Sequence, residues 1–237
     1  MALQASSMKL TCRHLFLRYA GAENPVFQDL SFAMQGPGFH ALFGPSGIGK
    51  TTLAKLLIGD AQPIEGELDT DPSSTRLYTY NLERLPGWSS VGSHLDKVTP
   101  NARRDLKEEL IADFGLAKLI GQRFAQLSLG QKNRVNLVRY LLQDFDLMIM
   151  DESLANVDEL TREKILFKIK LLYPDKFFLY ISHNVVEVAK FCRQILVLRG
   201  PHKQPQAWLV SGQDHHSAKT AAQSDLEQTM LQIMHAG

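Results

Sequence analysis

The sequence predicts an α/β fold: a mostly parallel sheet as core, an antiparallel β part near the N-terminus, and a helical subdomain inserted between core segments. Three observations carry that reading. Short apolar runs broken by turn residues fill positions 9–40, which is strand and hairpin patterning. A strand then passes through a glycine loop into helical spacing, and later apolar strands alternate with helices, the pattern of parallel pairing. Between these parts, residues 82–135 turn helical and more charged.

The antiparallel runs are "KLTCRHLFLRY", "VFQDLSFAM" and "GFHALFG", separated by "AGAENP" and "QGPG", whose Gly, Pro and Asn favour turns. In "KTTLAKLLIGD", Leu53, Leu56 and Leu57 keep helical spacing and Gly59 ends the helix. The strand "RLYTY" leads into the helical insert. There "TPNARRDLKEELIADFG" is expected to open a helix at Thr99 with Pro100 in its first position, and Leu106, Leu110 and Phe114 mark the apolar side. A second amphipathic run repeats Val135, Val138, Leu141 and Leu142 at helical spacing, with Ser128 placed to cap it.

The core, expected over 8–80 and 136–210, resumes with "DLMIMDE", a helix over 159–172, the strand "FFLYIS", a helix near 184–191 and the strand "QILVLR". Residues 211–237 are polar, then weakly amphipathic with Leu226, Met230 and Ile233 on one face, a docking helix or a frayed tail. The adjacent His215 and His216 in that polar stretch read as solvated side chains rather than metal ligands. "MALQASS", residues 1–7, precedes the first periodic pattern and reads as a leader or a cloning remnant, which leaves one domain over 8–237.

A net charge of +1 gives no reason to expect nucleic acid as partner. Cys12 and Cys192 stand far apart without metal-type spacing, which suits a reducing compartment. No run approaches the roughly 18 apolar residues of a membrane span, and the N-terminus lacks the order of a secretory signal. Cytosol is the expectation.

"GPSGIGKT", residues 44–51, matches G-x-x-x-x-G-K-[ST] in full, after the strand "FHALF" and before a helix. Such a loop turns the backbone N–H groups of Gly44, Pro45, Ser46, Gly47, Ile48 and Gly49, proline excepted, toward phosphate oxygens. Lys50 then reaches the terminal phosphates, the Thr51 hydroxyl ligates Mg²⁺, and Thr52 beside it is expected among the nucleotide-binding residues. The core is therefore that of a P-loop NTPase using Mg²⁺, and the loop by itself does not choose among kinases, GTPases and ATPases. "DFDLMIMDES" describes a buried strand that delivers Asp151 and Glu152 to its C-terminal edge, the usual ligand crevice of such sheets. Asp151 is expected to hold Mg²⁺ through water. Glu152, free of that duty, is placed to polarise the attacking water.

The order of these segments resembles the ATP-binding cassette (ABC) family of transport ATPases, over nearly the whole span from Lys9 to Arg199. The phosphate loop comes first, then the helical insert, then "LSLGQ" (127–131), then "LMIMDE", then a lone histidine in "ISHN". In that family Leu-Ser-Gly-Gly-Gln is a signature that clasps the nucleotide bound by the opposite subunit of a head-to-tail dimer. The resemblance implies that Ser128, Gly130 and Gln131 belong to that clasp, that Tyr19 in "LRYAG" stacks on adenine, and that His183 contacts the γ phosphate. It places Asp158, at the end of "SLANVD", in cross-subunit contact. Three positions depart from the family: Ser153 follows the acid pair where proline is usual, Leu129 replaces a signature glycine, and Asn81 stands nearest the switch-loop glutamine. Asn81 keeps the amide chemistry toward Mg²⁺ and phosphate but is one methylene shorter.

"NLERLPGWSS" and "VDELTR" look most like ATPase subunits of bacterial importers for nitrate, sulfonates, taurine or pyrimidine precursors. The apolar Leu85, Pro86 and Trp88 would then meet a helix of the permease, although a local core plug has the same composition. The resemblance implies a second ABC ATPase subunit, identical or not, integral membrane permease subunits, an external solute-binding protein in importers, and a peripheral position on the cytoplasmic face of the inner membrane. Two other readings stay open: a soluble cassette ATPase outside transport, and a weakly hydrolysing regulatory subunit of a heterodimer.

Overall fold

The computed structural model describes residues 8–71, 73–217 and 223–237, so the expectation for residues 1–7 lies outside the described residues. The chain divides into two compact units: Met1–Tyr78, Asp146–Ile149 and Pro174–Gly237 form one, Thr79–Phe145 and Met150–Tyr173 the other.

In the first unit, β1 (Lys9–Leu17) pairs antiparallel with β2 (Phe27–Gln35) on one side and with β4 (Glu65–Asp69) on the other. Leu10, Leu15, Leu30 and Met34 are fully buried in the core beneath this sheet. The larger sheet has the strand order β5-β6-β7-β3-β8-β9, with β3 at Gly38–Phe43, β5 at Arg76–Tyr80, β6 at Leu147–Asp151, β7 at Phe177–Ile181, β8 at Gln194–Leu198 and β9 at Ala207–Ser211. β7, β3 and β8 run parallel, and β9 closes one edge antiparallel to β8. "FFLYI" is buried at every position, as expected of a strand covered on both faces. Helix α1 (Lys50–Ile58) puts Leu53, Leu56 and Leu57 into the same core and stops at Gly59, whose φ of 86° is left-handed.

The second unit is helical beyond the strand ends: α2 (Val91–Val98), α3 (Arg104–Asp113), α4 (Leu129–Leu141) and α5 (Glu159–Leu172). Val135, Val138, Leu141 and Leu142 are fully buried, as the spacing of that run predicts. Leu110 and Phe114 are buried on α3, while Leu106 is only half-buried. Thr99 does not open α3. Its hydroxyl donates to Leu95 O at 2.6 Å, closing α2, and Pro100 leads a single 3-10 turn before α3 begins at Arg104. The hydroxyl found an acceptor in the preceding turn, and proline cannot continue that helix because it lacks the N–H.

The remaining elements return to the first unit. α6 (Val185–Phe191) starts at Asn184, whose side chain accepts from Glu187 N. α7 (Gln223–Ala236) buries Thr229, Ile233 and Ala236 and packs on α6 and β9, so the C-terminal segment is a docking helix. His215 is half-buried rather than solvated, and its backbone N–H donates to Lys190 O at 3.0 Å. His216 stays exposed beside Asp214. Among the described residues no group of three His, Cys, Asp or Glu side chains could hold a metal.

Candidate nucleotide site

The loop between β3 and α1 is shaped by glycine. Gly49, the N-cap of α1, has φ 108°, and a Cβ there would stand 2.7 Å from the Val26 side chain and 3.0 Å from the Phe27 ring, so any other residue would be strained and would displace those side chains. No side chain caps α1 and no acid occupies its first turn. Its leading N–H groups and dipole are thus available to an anion. Lys50 is only 7% exposed, and its ammonium donates to Gly44 O and Pro45 O at 2.8 Å each. Those neutral carbonyls hold the cation inside the loop, where phosphate oxygens are stronger acceptors.

Two further expected residues lie in this unit. Tyr19 is 53% exposed and its hydroxyl is 2.9 Å from that of Thr52, which ties the aromatic ring to the first turn of α1. In the β3–β7 pairing Leu42 stands opposite Ile181, so Gly44 and His183 each lie two residues beyond the pair, at one C-terminal edge. Thr51 follows Lys50 on the solvent side of the helix start. The loop, Tyr19, Thr52 and His183 therefore belong to one unit.

Asp151, Glu152, Asn81, Ser128, Gly130, Gln131 and Asp158 belong to the second unit. Asp151 ends β6, and Glu152 follows with φ 52°, a left-handed conformation that costs a non-glycine residue of order 1 kcal/mol or more. Asn156, four residues on, is also left-handed at φ 63°. The strained loop is held from several directions. Asn81 N donates to Asp151 O at 3.0 Å, and the buried Ser153 hydroxyl donates to Thr79 O at 3.0 Å. That serine bond has no counterpart in the proline common at this position of the family. Asp158 caps α5 by accepting from Thr161 N at 3.0 Å, and this bond lowers its carboxyl pKa.

Ser128 caps α4 in a reciprocal pair: its hydroxyl accepts from Gln131 N at 3.3 Å, and the Gln131 side chain accepts from Ser128 N at 2.8 Å. Gly130 is buried, and a Cβ on it would stand 2.1 Å from Asn156 O, inside any permissible contact. Leu129 sits in helical conformation, 47% exposed, and lines a 330 Å³ groove with Leu82, Leu85, Gly87, Phe124 and Ala125. Asn81 presents its amide oxygen to Asn133, whose Nδ2 donates at 3.0 Å.

Sequence reasoning missed the polar stripe of α4. Asn133, Asn136 and Tyr140 recur at spacings of three and four, one helix face. Asn136 Nδ2 and Tyr140 Oη donate to the Glu83 carboxylate at 2.9 and 3.0 Å, and Arg139 pairs with the same group. Polar residues at core spacing inside an apolar helix were the available signal.

A glycine loop between a parallel strand and a helix, wrapped around a buried lysine, defines a phosphate-loop nucleotide-binding protein. The profile of the ABC transporter family matches residues 27–155, and the chain belongs to that family. It is 32% identical over 208 residues to the taurine import ATP-binding protein TauB of Pseudomonas fluorescens, covering 81% of this chain and 78% of that protein. It is also 32% identical over 190 residues to the molybdenum import ATP-binding protein ModC of Brucella melitensis, covering 72% of this chain. The chain spans about half, 53%, of the length of that molybdenum import relative. Among solved structures, a bacterial Atm1-family ABC exporter with ATP bound superposes with a TM-score of 0.74 at 21% identity, covering 90% of this chain and 40% of the exporter chain. An inward-facing ABC transporter of metal-chelate type gives a TM-score of 0.70 at 18% identity, covering 86% of this chain and 83% of that one. Both likenesses concern the fold. No helix among the described residues is long and apolar enough to cross a membrane.

Proposed function

We propose that this chain is the ATP-binding and ATP-hydrolysing subunit of an ABC transporter, lying on the cytoplasmic face of the membrane and energising a separate permease for solute import. The observation that carries the reading is the buried Lys50 ammonium held by the carbonyls of a complete phosphate loop at an uncapped helix start. The loop would hold the ATP phosphates, Thr51 and Asp151 would hold Mg²⁺, which neutralises phosphate charge when bound, and Tyr19 would pack against the base. Glu152 would accept the proton of the attacking water, and His183 would donate to the γ phosphate. Ser128, Gly130 and Gln131 would close over the nucleotide of a second ABC subunit, with Asp158 in the same contact. ATP favours the closed pair, and loss of the γ phosphate reopens it.

The permease would seat on the second unit. Trp88, Leu82 and Leu129 are 83%, 61% and 47% exposed, and Leu82 and Leu129 line a groove whose wall also carries Glu83, Arg84 and Lys132; large apolar side chains left this exposed support a docking surface. Relatives named for taurine import and for molybdenum import support the direction of transport.

Turnover of Mg²⁺ATP tests the enzyme. Glu152→Gln should lower it 10² to 10⁴-fold, the usual cost of removing a general base, while ATP binding persists. An unchanged rate would favour a weakly hydrolysing regulatory subunit, the reading that Leu129 and the engaged Asn81 amide support. Complexes purified through this chain should contain a polytopic membrane protein, and repeated absence of one would sink the transport reading.

A further inference from the structure

The loop that carries Glu152 holds two left-handed non-glycine residues within five positions, Glu152 at φ 52° and Asn156 at φ 63°. Such strain persists only where surrounding contacts over-determine the conformation. Its own backbone bonds are few: Ala155 N donates to Glu152 O at 2.9 Å, and Val157 N to Leu154 O at 3.3 Å. The clamp comes from α4. Asn133, 6% exposed, uses one amide group twice, donating to Ala155 O at 2.7 Å and to Asn81 Oδ1 at 3.0 Å. One turn earlier on the same helix, Gly130 lies so close to Asn156 O that no side chain fits between them. The helix that begins at Ser128 thus grips the Glu152 loop at two successive turns.

We propose that Asn133 is a positioning residue for Glu152: by donating to Ala155 O and Asn81 Oδ1 it holds the strained loop and the Asn81 amide in one register with the Ser128–Gln131 helix start. The inference rests on the ATPase reading above. Its logic is geometric. Asn133 reaches two carbonyl oxygens of the mechanism's loops, Ala155 O and Asn81 Oδ1, without being a ligand of the nucleotide, so its removal frees the loop while leaving the phosphate loop intact. Asn133→Asp keeps the size but removes the donor, since a carboxylate only accepts.

The test is steady-state hydrolysis and ATP binding by the full chain, with Asn133→Ala, Asn133→Asp and the milder Asn133→Ser, each made also on a Glu152→Gln background. Thermal melting confirms folding. On the wild-type background kcat should fall roughly tenfold or more with KM and ATP affinity within about twofold, the range of coupling measured between contacting residues. On the Glu152→Gln background the same changes should cost nothing further in single-turnover rate, because a residue that acts through Glu152 has nothing left to position. Folded variants that keep full kcat, or losses that multiply with Glu152→Gln, would overturn the inference alone. A wild-type chain without Mg²⁺ATP hydrolysis, or one indifferent to Glu152→Gln, would take the ATPase reading down with it.

Discussion

Ser128 offers a separation of two roles that one hydroxyl can combine. It caps α4 through a reciprocal pair with Gln131, at 3.3 and 2.8 Å, and it is exposed, in the position proposed above to clasp a partner's γ phosphate. Ser128→Ala removes the cap. The long 3.3 Å member puts the cost near the middle of the usual range, about 1 kcal/mol, or roughly 2–4 °C in Tm for a protein of this size. Ser128→Asp keeps an acceptor for Gln131 N and adds a charge that favours a helix N-terminus, so Tm should hold or rise. That same carboxylate would face phosphate in the closed dimer. Two unit charges about 4 Å apart at an effective dielectric of ~20 repel by about 4 kcal/mol, close to 10³ in rate. The paired assays are thermal melting of the isolated chain and ATP turnover at protein concentrations that allow dimerisation. The expected pattern is crossed: the alanine variant melts lower and loses modest activity, the aspartate variant melts normally and is nearly inactive. An aspartate variant hydrolysing ATP as fast as the alanine variant would show that Ser128 caps a helix and does nothing else.

Leu129→Gly should leave ATP affinity of the isolated chain unchanged by calorimetry yet alter turnover in the assembled dimer; a changed affinity in the isolated chain would place this loop in the wrong site. Gly130→Ala sets a methyl 2.1 Å from Asn156 O, and because backbone must move the cost should be about 1–3 kcal/mol in denaturant melts, with kcat falling alongside. Alkaline titration should destabilise the fold. Burial pushes the Cys12 thiol from an ordinary 9.0 up to about 12, and burial lifts Tyr140 and Tyr173 from 10.0 to about 12, with the Glu83 carboxylate adding to the effect on Tyr140. Between those limits the unfolded chain has released protons that the folded one retains. Stability therefore falls as pH rises from about 9 toward 12 and is unaffected by these groups below that window, which denaturation midpoints across pH can check. Cys12 should accordingly resist alkylation at pH 8 until the chain unfolds.

The phosphate loop, α1 and α5 were legible in the residues because each depends on neighbours within a few positions. Glycines that permit positive φ, a lysine at a set distance and Leu at helical spacing specify a local backbone wherever they stand. The strand that ends at Asp151, just before Glu152, was legible for the same reason, as a continuous apolar run. By contrast, β4 and β9 carry weak local patterns, "EGELD" and "AWLVS", and become strands through pairing with β1 and β8. Thr99 could cap a helix ahead of it or close the one behind, and only the placement of Leu95 O decided. Asn81 and Asn133 lie 52 positions apart, and Gly130 meets Asn156 only once α4 is packed on the loop. Spacing along the chain thus determined which chemical groups this protein carries and the local backbone that presents them. The partners of those groups, and the strain at Glu152 that they sustain, were decided by tertiary structure, because hydrogen bonds and close contacts form between positions that local spacing does not relate.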